Sequence, residues 1–333
     1  MKPRIGLIPG DPSGIGPELI AKLLAEPGSA ERADLLLIGD THVFAQGQAQ
    51  AGLEHPMTPV ERGADWTAVP RFAHLAHQTI APEDVAIATV SEASGTSTLR
   101  NLDLALDLVG EGVIDAIVFG PFNKAAMHMA GLGHDDELHY VAARQGVEGY
   151  ISELNTLDGI WTSRVTSHIP LSAVASTIEG GRITDAVLLL DRTLRRSGMA
   201  RPRISVAALN PHAGDNGNFG REEIDIIRPA VERIAARQFA VDGPWPSDTV
   251  FLKAKRGEID AVVTMYHDQG QIALKLMGFD RGVTVQGGLP FPMTTPAHGT
   301  AFDIAGQGIA DTGAMLAAFA IACDMVENWS AAA

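Results

Sequence analysis

Three histidines lie in polar strings that suit metal ligation: His168 in Thr166-Ser167-His168-Ile169-Pro170, His212 in Asn210-Pro211-His212-Ala213-Gly214, and His267 in Tyr266-His267-Asp268-Gln269-Gly270. His212 and His267 each follow an apolar run that reads as a buried strand. Residues just past the carboxyl end of a strand in an open α/β sheet face the crevice where ligands bind. Three neutral imidazoles meeting there would make an open divalent-metal site, with positions left for a substrate. No short spacing such as His-Glu-x-x-His links them, so only the fold can gather them. Asp268 either orients His267 through a hydrogen bond or caps a helix.

Other strings also end strands. The first strand runs into Gly10-Asp11-Pro12-Ser13-Gly14-Ile15-Gly16-Pro17-Glu18. Its glycines let the backbone turn sharply and approach a ligand before a helix opens. The spacing is not G-x-G-x-x-G, and an ordinary strand-to-helix turn is the competing reading. In Gly120-Pro121-Phe122-Asn123-Lys124 the lysine either meets an anionic group or is solvated. His298-Gly299-Thr300-Ala301-Phe302-Asp303-Ile304-Ala305-Gly306-Gln307-Gly308 is rich in small residues. A flat ligand fits close to such a backbone, and so does a tightly packed loop entering a final helix.

The elements that must position these strings alternate along the chain. Arg4–Ile8, Asp34–Gly39, Asp115–Phe119, Arg203–Leu209 and Asp260–Met265 read as buried strands. Pro17–Ala25, Ser97–Val109, Ile183–Arg196, Arg221–Arg237 and Ala314–Glu327 read as helices. Pro17 suits a first helical turn, and Glu222 and Glu223 suit the positive end of a helix dipole. This alternation predicts an α/β fold with a parallel or mixed sheet covered on both faces.

Composition narrows the class. With 333 residues, 46% hydrophobic and 20% charged, the chain is long enough for about two domains. A net charge of −15 disfavours generic nucleic-acid binding. The single cysteine, Cys323, lies in an apolar run and reads as a buried structural thiol. The start is strand-like rather than a signal peptide, and no apolar stretch suits a bilayer. A cytoplasmic protein, with neither nucleic acid nor membrane as partner, is the expectation.

Taken together, the strings resemble the 4-hydroxythreonine-4-phosphate dehydrogenase family of pyridoxal phosphate biosynthesis, from Gly10 to about Gly313. The His298–Gly308 string also resembles the cofactor loop of isocitrate and isopropylmalate dehydrogenases, which bind NAD(P) without a Rossmann fingerprint. The resemblance implies two α/β/α domains with a cleft between them. Residues 1–122 together with 285–333 would form the cofactor side, and 123–284 the metal- and substrate-binding, dimer-forming side. It implies a homodimer with the active site at its interface. It also implies NAD or NADP and one divalent metal per site, zinc first, with Co, Mn, Ni or Mg as alternatives.

Residue by residue, His168, His212 and His267 match the family's metal ligands, one of them donated by the second subunit. Asp248 and Lys275 match polar residues of the substrate pocket. They share candidacy for the hydroxyl proton with a bound water. His298, Thr300, Asp303 and Gly306 fall in the cofactor segment, with Gly10, Asp11 and Gly14 as further cofactor candidates. The implied reaction oxidises a hydroxy acid with the nicotinamide as hydride acceptor, and the resulting β-keto acid then decarboxylates.

This chain departs from the family at the phosphate end. Leu289-Pro290-Phe291-Pro292-Met293-Thr294-Thr295 carries Met293 where the family has arginine, and Thr284 stands in place of a common asparagine. Gly133-His134-Asp135-Asp136-Glu137 replaces Gly-His-Thr-Glu. The candidate substrate contacts are therefore His134, Asp135, Lys275, Thr284 and Met293. A lost charge-assisted contact is worth about 1.5–3 kcal/mol. Either another cation such as Arg281 or Lys124 takes the phosphate, or the substrate differs. The alternatives are a non-phosphorylated cis-dihydrodiol carboxylate such as that of terephthalate, whose ring Met293 would suit, and a phosphorylated sugar acid. A non-catalytic metal- or nucleotide-binding protein is the third reading, disfavoured by the retained histidines and Lys275.

Overall fold

The apolar runs become strands of two α/β units in a computed structural model that describes residues 2–67, 69, 72–278 and 281–329. In chain order the strands are β1 (Arg4–Ile8), β2 (Asp34–Gly39), β3 (Thr58–Val60), β4 (Phe72–Ala76), β5 (Ala116–Phe119), β6 (Ser152–Leu157), β7 (Ile160–Arg164), β8 (Ile204–Ala207), β9 (Val241–Trp245), β10 (Ala261–Thr264), β11 (Val283–Gly287) and β12 (Met293–Pro296). One unit takes Met1–Glu148, Val283–Val285 and Leu289–Glu327. The other is built mainly from Gly149–Gly282 and Gln286–Gly288.

In the first unit the strands run β3-β4-β2-β1-β5-β12 in parallel, with β11 antiparallel to β12. Ile5, Leu7, Leu37 and Val118 are fully buried, so the central strands are apolar on both faces. Each such side chain contributes about 1.5–3 kcal/mol by leaving water. The helix Gly16–Ala25 opens with Pro17 in its first turn, as expected. Its buried Glu18 pairs with Lys22 at 2.8 Å and accepts a hydrogen bond from Ala310 N at 2.8 Å. Lys22 Nζ also donates to Gly308 O at 3.1 Å and Ala310 O at 2.7 Å, anchoring the end of the His298–Gly308 string. The long helix Glu92–Gly110 starts earlier than the pattern predicts, because the Ser91 side chain caps it by accepting from Ser94 N. Cys323 is buried in the last helix, Gly313–Glu327.

In the second unit the order is β6-β7-β10-β8-β9, with β6 and β7 antiparallel and the other pairs parallel. The helix expected over Arg221–Arg237 is interrupted: a π-helical turn, Glu223–Ile227, precedes the α-helix Arg228–Ala235. The reason is local. Glu223 is buried and accepts from Leu209 N at 2.9 Å and Asn210 N at 2.7 Å, so it ties down the end of β8 as well as opening a helix. Among the described residues no helix is long and apolar enough to cross a membrane.

Candidate metal and substrate site

The three histidines follow three neighbouring strands. β7, β10 and β8 are adjacent and parallel, so their carboxyl ends lie along one edge of the sheet. His168 comes four residues after β7, His267 three after β10 and His212 five after β8. Ladder contacts continue past the strands: Val165 N donates to Thr264 O at 2.9 Å and Thr166 N to Met265 O at 3.1 Å. Gln269 clamps the next pair of ends, accepting from Met265 N at 2.7 Å and donating to Ala208 O at 2.8 Å.

His168 and His267 are brought together, their ring centroids 5.4 Å apart. An imidazole binding an ion at about 2.0–2.1 Å has its ring centre about 3 Å from it, so two rings at a tetrahedral angle stand about 5 Å apart. The pair fits that spacing. His267 Nδ1 lies 2.7 Å from Asp268 Oδ1, which fixes the ring and leaves Nε2 for a metal. Asp268 therefore touches His267 as well as sitting in the helix's first turn. Both rings line a cavity of about 300 Å³ together with Thr166, Ser167, Ile169, Leu171 and Tyr266. Among the described residues no group of three or more His, Cys, Asp or Glu side chains is gathered around one point.

His212 stands on an unusual loop. His212, Ala213, Gly214, Asp215 and Asn216 all have positive φ, between 42° and 79°. Four of the five carry a side chain, which makes this backbone costly unless its surroundings hold it. Glu223 fixes the entry to this loop by accepting from Leu209 N and Asn210 N, and its Oε2 would stand 2.7 Å from a Cβ on Gly214. The His212 ring is exposed and stacks obliquely on Phe219, with centroids 6.3 Å apart. His168 likewise has positive φ, at 53°.

Asp248 is exposed in the first turn of the helix Ser247–Lys255, and Lys275 is exposed in the helix His267–Gly278. His134, Asp135, Thr284 and Met293 belong to the first unit. His134 and Asp135 are exposed, and His134 packs edge-on to Tyr140 at 5.9 Å. Asp136 is buried and caps its own helix, accepting from His139 N at 2.9 Å. Burial pushes its carboxyl up, but the hydrogen bonds from His139 outweigh this and hold it below the ordinary value. Only Asp135 of the aspartate pair is therefore exposed to solvent. Thr284 is nearly buried and Met293 has no exposed surface, so Met293 packs in the core on β12 and offers no face to a ring. Arg281 is forked onto Asp158, at 3.2 and 2.8 Å, and Lys124 lies 3.7 Å from Glu137.

Among the cofactor candidates, the Gly14 turn packs against Thr300. Ile15 N donates to Thr300 O at 3.1 Å, and a Cβ on Gly14 would stand 2.9 Å from Thr300 Cβ. Gly10, with φ of 84°, is pressed so closely against the Gly120 carbonyl that a Cβ would lie 2.5 Å from its oxygen. Asp11 is buried; Oδ1 accepts from Ser13 N at 2.8 Å, while Oδ2 has no hydrogen-bond partner among the described residues. Burial pushes its carboxyl up to about 6, against the opposing hydrogen bonds from Ser13. His298 Nδ1 contacts Gly299 O at 3.1 Å, Asp303 O accepts from Gln307 Nε2 at 2.8 Å, and Gly306 has φ of 81°.

The hairpin β6–β7 carries polar residues that the sequence reading passed over: Glu153, Asn155 and Arg164. Arg164 is buried, forms an ion pair with Glu153, donates through Nη1 to Asn155 Oδ1 at 2.9 Å and reaches Ser167 Oγ through Nε at 3.1 Å. The signal that would have found them is Asp158-Gly159, whose φ values of 48° and 84° make the tight hairpin turn this dipeptide favours.

Parallel strands with paired histidines at their carboxyl ends suit an α/β enzyme, and comparison with known proteins gives its class. The family model described as pyridoxal phosphate biosynthetic protein PdxA matches residues 31–322. A Pseudomonas aeruginosa protein named as a second 4-hydroxythreonine-4-phosphate dehydrogenase is 53% identical, covering 97% of each chain. The D-threonate 4-phosphate dehydrogenase of Salmonella typhimurium is 38% identical, over 96% of this chain and 98% of that one. The crystal structure of 4-hydroxythreonine-4-phosphate dehydrogenase from Klebsiella pneumoniae superposes with a TM-score of 0.83 at 36% identity, covering 98% of each. The chain belongs to the PdxA family, and it is an oxidoreductase with the α/β fold the sequence predicts.

Proposed function

We propose that this chain is a metal- and NAD(P)-dependent dehydrogenase. It oxidises the hydroxyl of a phosphorylated hydroxy acid, 4-hydroxythreonine 4-phosphate first among them, with decarboxylation to follow. The observation that carries this is the His168–His267 pair, 5.4 Å apart over one cavity at the carboxyl ends of parallel strands. The names of the relatives at 53% and 38% identity favour a phosphorylated acid over a dihydrodiol.

His168 and His267 hold the divalent ion, zinc foremost, and His212 from a second copy completes the set. Bound there, a divalent ion would supply a Lewis acid toward the substrate hydroxyl, and a nicotinamide would supply the hydride acceptor. Lys275 follows His267 by eight residues on one helix, so the two share a face about 12 Å apart along its axis. That spacing suits a substrate with a chelating end and an anionic far end, and Lys275 Nζ meets the anion. Asp248, at the start of its own helix, is the candidate to take the hydroxyl proton. Gly10–Gly14 and Thr300, with His298, Asp303 and Gly306, receive NAD or NADP.

The dimer has its own support. Leu171, Ile272 and Leu276 are 71%, 60% and 84% exposed, on the segments that carry His168 and His267. Such apolar exposure beside a ligand site favours a partner. If His212 comes from the second copy, His212→Ala and His267→Ala are each inactive, yet mixing them restores activity. Random pairing rebuilds one intact site in half of the dimers, about a quarter of wild-type activity. No recovery after dissociation and re-association would show that each chain builds its own site.

The substrate is tested by following NAD(P)H formation by zinc-loaded protein with 4-hydroxythreonine 4-phosphate, a phosphorylated sugar acid and terephthalate cis-dihydrodiol. Preference for 4-hydroxythreonine 4-phosphate is expected. Preference for the dihydrodiol would overturn the phosphorylated reading, and no turnover with any of the three would overturn the dehydrogenase reading of the site.

A further inference from the structure

Beneath the candidate metal site lies a polar cluster that the chemistry proposed above does not use. Arg164 ends β7, Asn155 sits on β6, and Gln271 lies one turn into the helix that begins at His267. Asn155 Oδ1 accepts twice, from Arg164 Nη1 at 2.9 Å and from Gln271 Nε2 at 2.6 Å. The other side of the Arg164 fork donates from Nε to Ser167 Oγ at 3.1 Å, and Ser167 immediately precedes His168. Glu153 supplies the counter-charge, which a buried guanidinium requires. One connected set of hydrogen bonds therefore joins the loop that carries His168 to the helix that carries His267.

We propose that Arg164 and Asn155 are the positioning residues of the metal site, setting the separation of His168 and His267 through Ser167 and Gln271. The inference rests on the metal reading above. His168 occupies a left-handed backbone conformation that its side chain disfavours, and the residue beside it is held by Arg164. Gln271 stands four residues after His267 on the same helical stripe, so a bond to it fixes the rotation of that helix end. The planar fork of arginine reaches Asn155, Ser167 and Glu153 at once; a lysine ammonium in its place keeps the charge and loses the geometry.

The test measures the metal dissociation constant by chelator competition, together with the visible spectrum of the cobalt-loaded protein, for wild type, Arg164→Lys, Ser167→Ala and Asn155→Ala. Ser167→Ala removes one hydroxyl and leaves the ion pair with Glu153 in place, so it guards against a variant that fails to fold. The expected result is metal binding about ten- to a hundredfold weaker in Arg164→Lys and Ser167→Ala, with shifted cobalt bands and, in Ser167→Ala, an unchanged melting temperature. Asn155→Ala, which breaks the link to Gln271, is expected to weaken binding to the same extent, and wild-type affinity and spectrum in all three variants, whatever their melting temperatures, overturn the positioning role alone. A wild-type protein that takes up no metal overturns the metal reading and this inference with it.

Discussion

Replacing His267 by alanine is expected to lower turnover with the preferred hydroxy acid about a thousandfold while leaving the melting temperature almost unchanged. The size follows from what the bound ion contributes: Lewis-acid stabilisation is worth several kcal/mol, and about 1.4 kcal/mol is a factor of ten in rate. The small structural effect follows from position. The ring is about a third exposed, its partner Asp268 is 71% exposed, and neither belongs to the core. Chelating the metal from the wild type should cost as much, and chelation should cost the variant nothing more. Asp268→Asn should act more gently, weakening metal affinity about ten- to a hundredfold, because it loosens the His267 ring without removing the ligand. Activity that survives both the substitution and the chelator would remove the metal from the mechanism.

A second expected result concerns Asp11 and pH. Burial raises its folded-state pKa to about 6, above the ordinary 3.8. A raised carboxyl holds its proton more tightly in the native state than in the unfolded chain. Its contribution is therefore most favourable below about pH 4, and it declines as pH rises through about 6. By pH 8 the ionised, buried carboxylate costs about 3 kcal/mol relative to the acid side. Asp11→Asn cannot ionise and keeps an oxygen for the Ser13 amide. The stability difference between variant and wild type should shift by about 2.5 kcal/mol in favour of the variant between pH 4 and pH 8, read from denaturant melts at the two values. A difference that stays flat with pH would mean that Asp11 is solvated or partnered in solution.

Much of this was legible in the chain because burial on both faces leaves continuous apolar runs. β1 and β2 have the bounds their sequences predict, and the metal-candidate strings do follow strand ends. What could not be read came from polar or short strands. β6, with Ser152, Glu153, Asn155 and Thr156, carries no apolar run: Leu154 and Leu157 enter the core, while Glu153 and Asn155 serve the Arg164 network. The left-handed His212 loop was unreadable for another reason. Its positive φ values fall on His, Ala, Asp and Asn as well as Gly, and a buried glutamate further along the chain holds the residues that lead into them. Met293 reads as a specificity position when matched string to string, yet its side chain has no exposed surface on β12, the strand between β5 and β11. No pattern of residue types distinguishes those two environments.

The interleaving of the two units bears on how the protein can be taken apart. β12 pairs with β5, but the chain between them, from Gly149 to Gly282, belongs to the other unit. A fragment ending at Glu148 would leave the edge of β5 bare, with its backbone donors and acceptors open to any passing strand. Dissection by simple truncation should thus yield aggregates, whereas a rewired gene that splices residues 283–327 directly after residue 148 keeps the β5–β12 pairing.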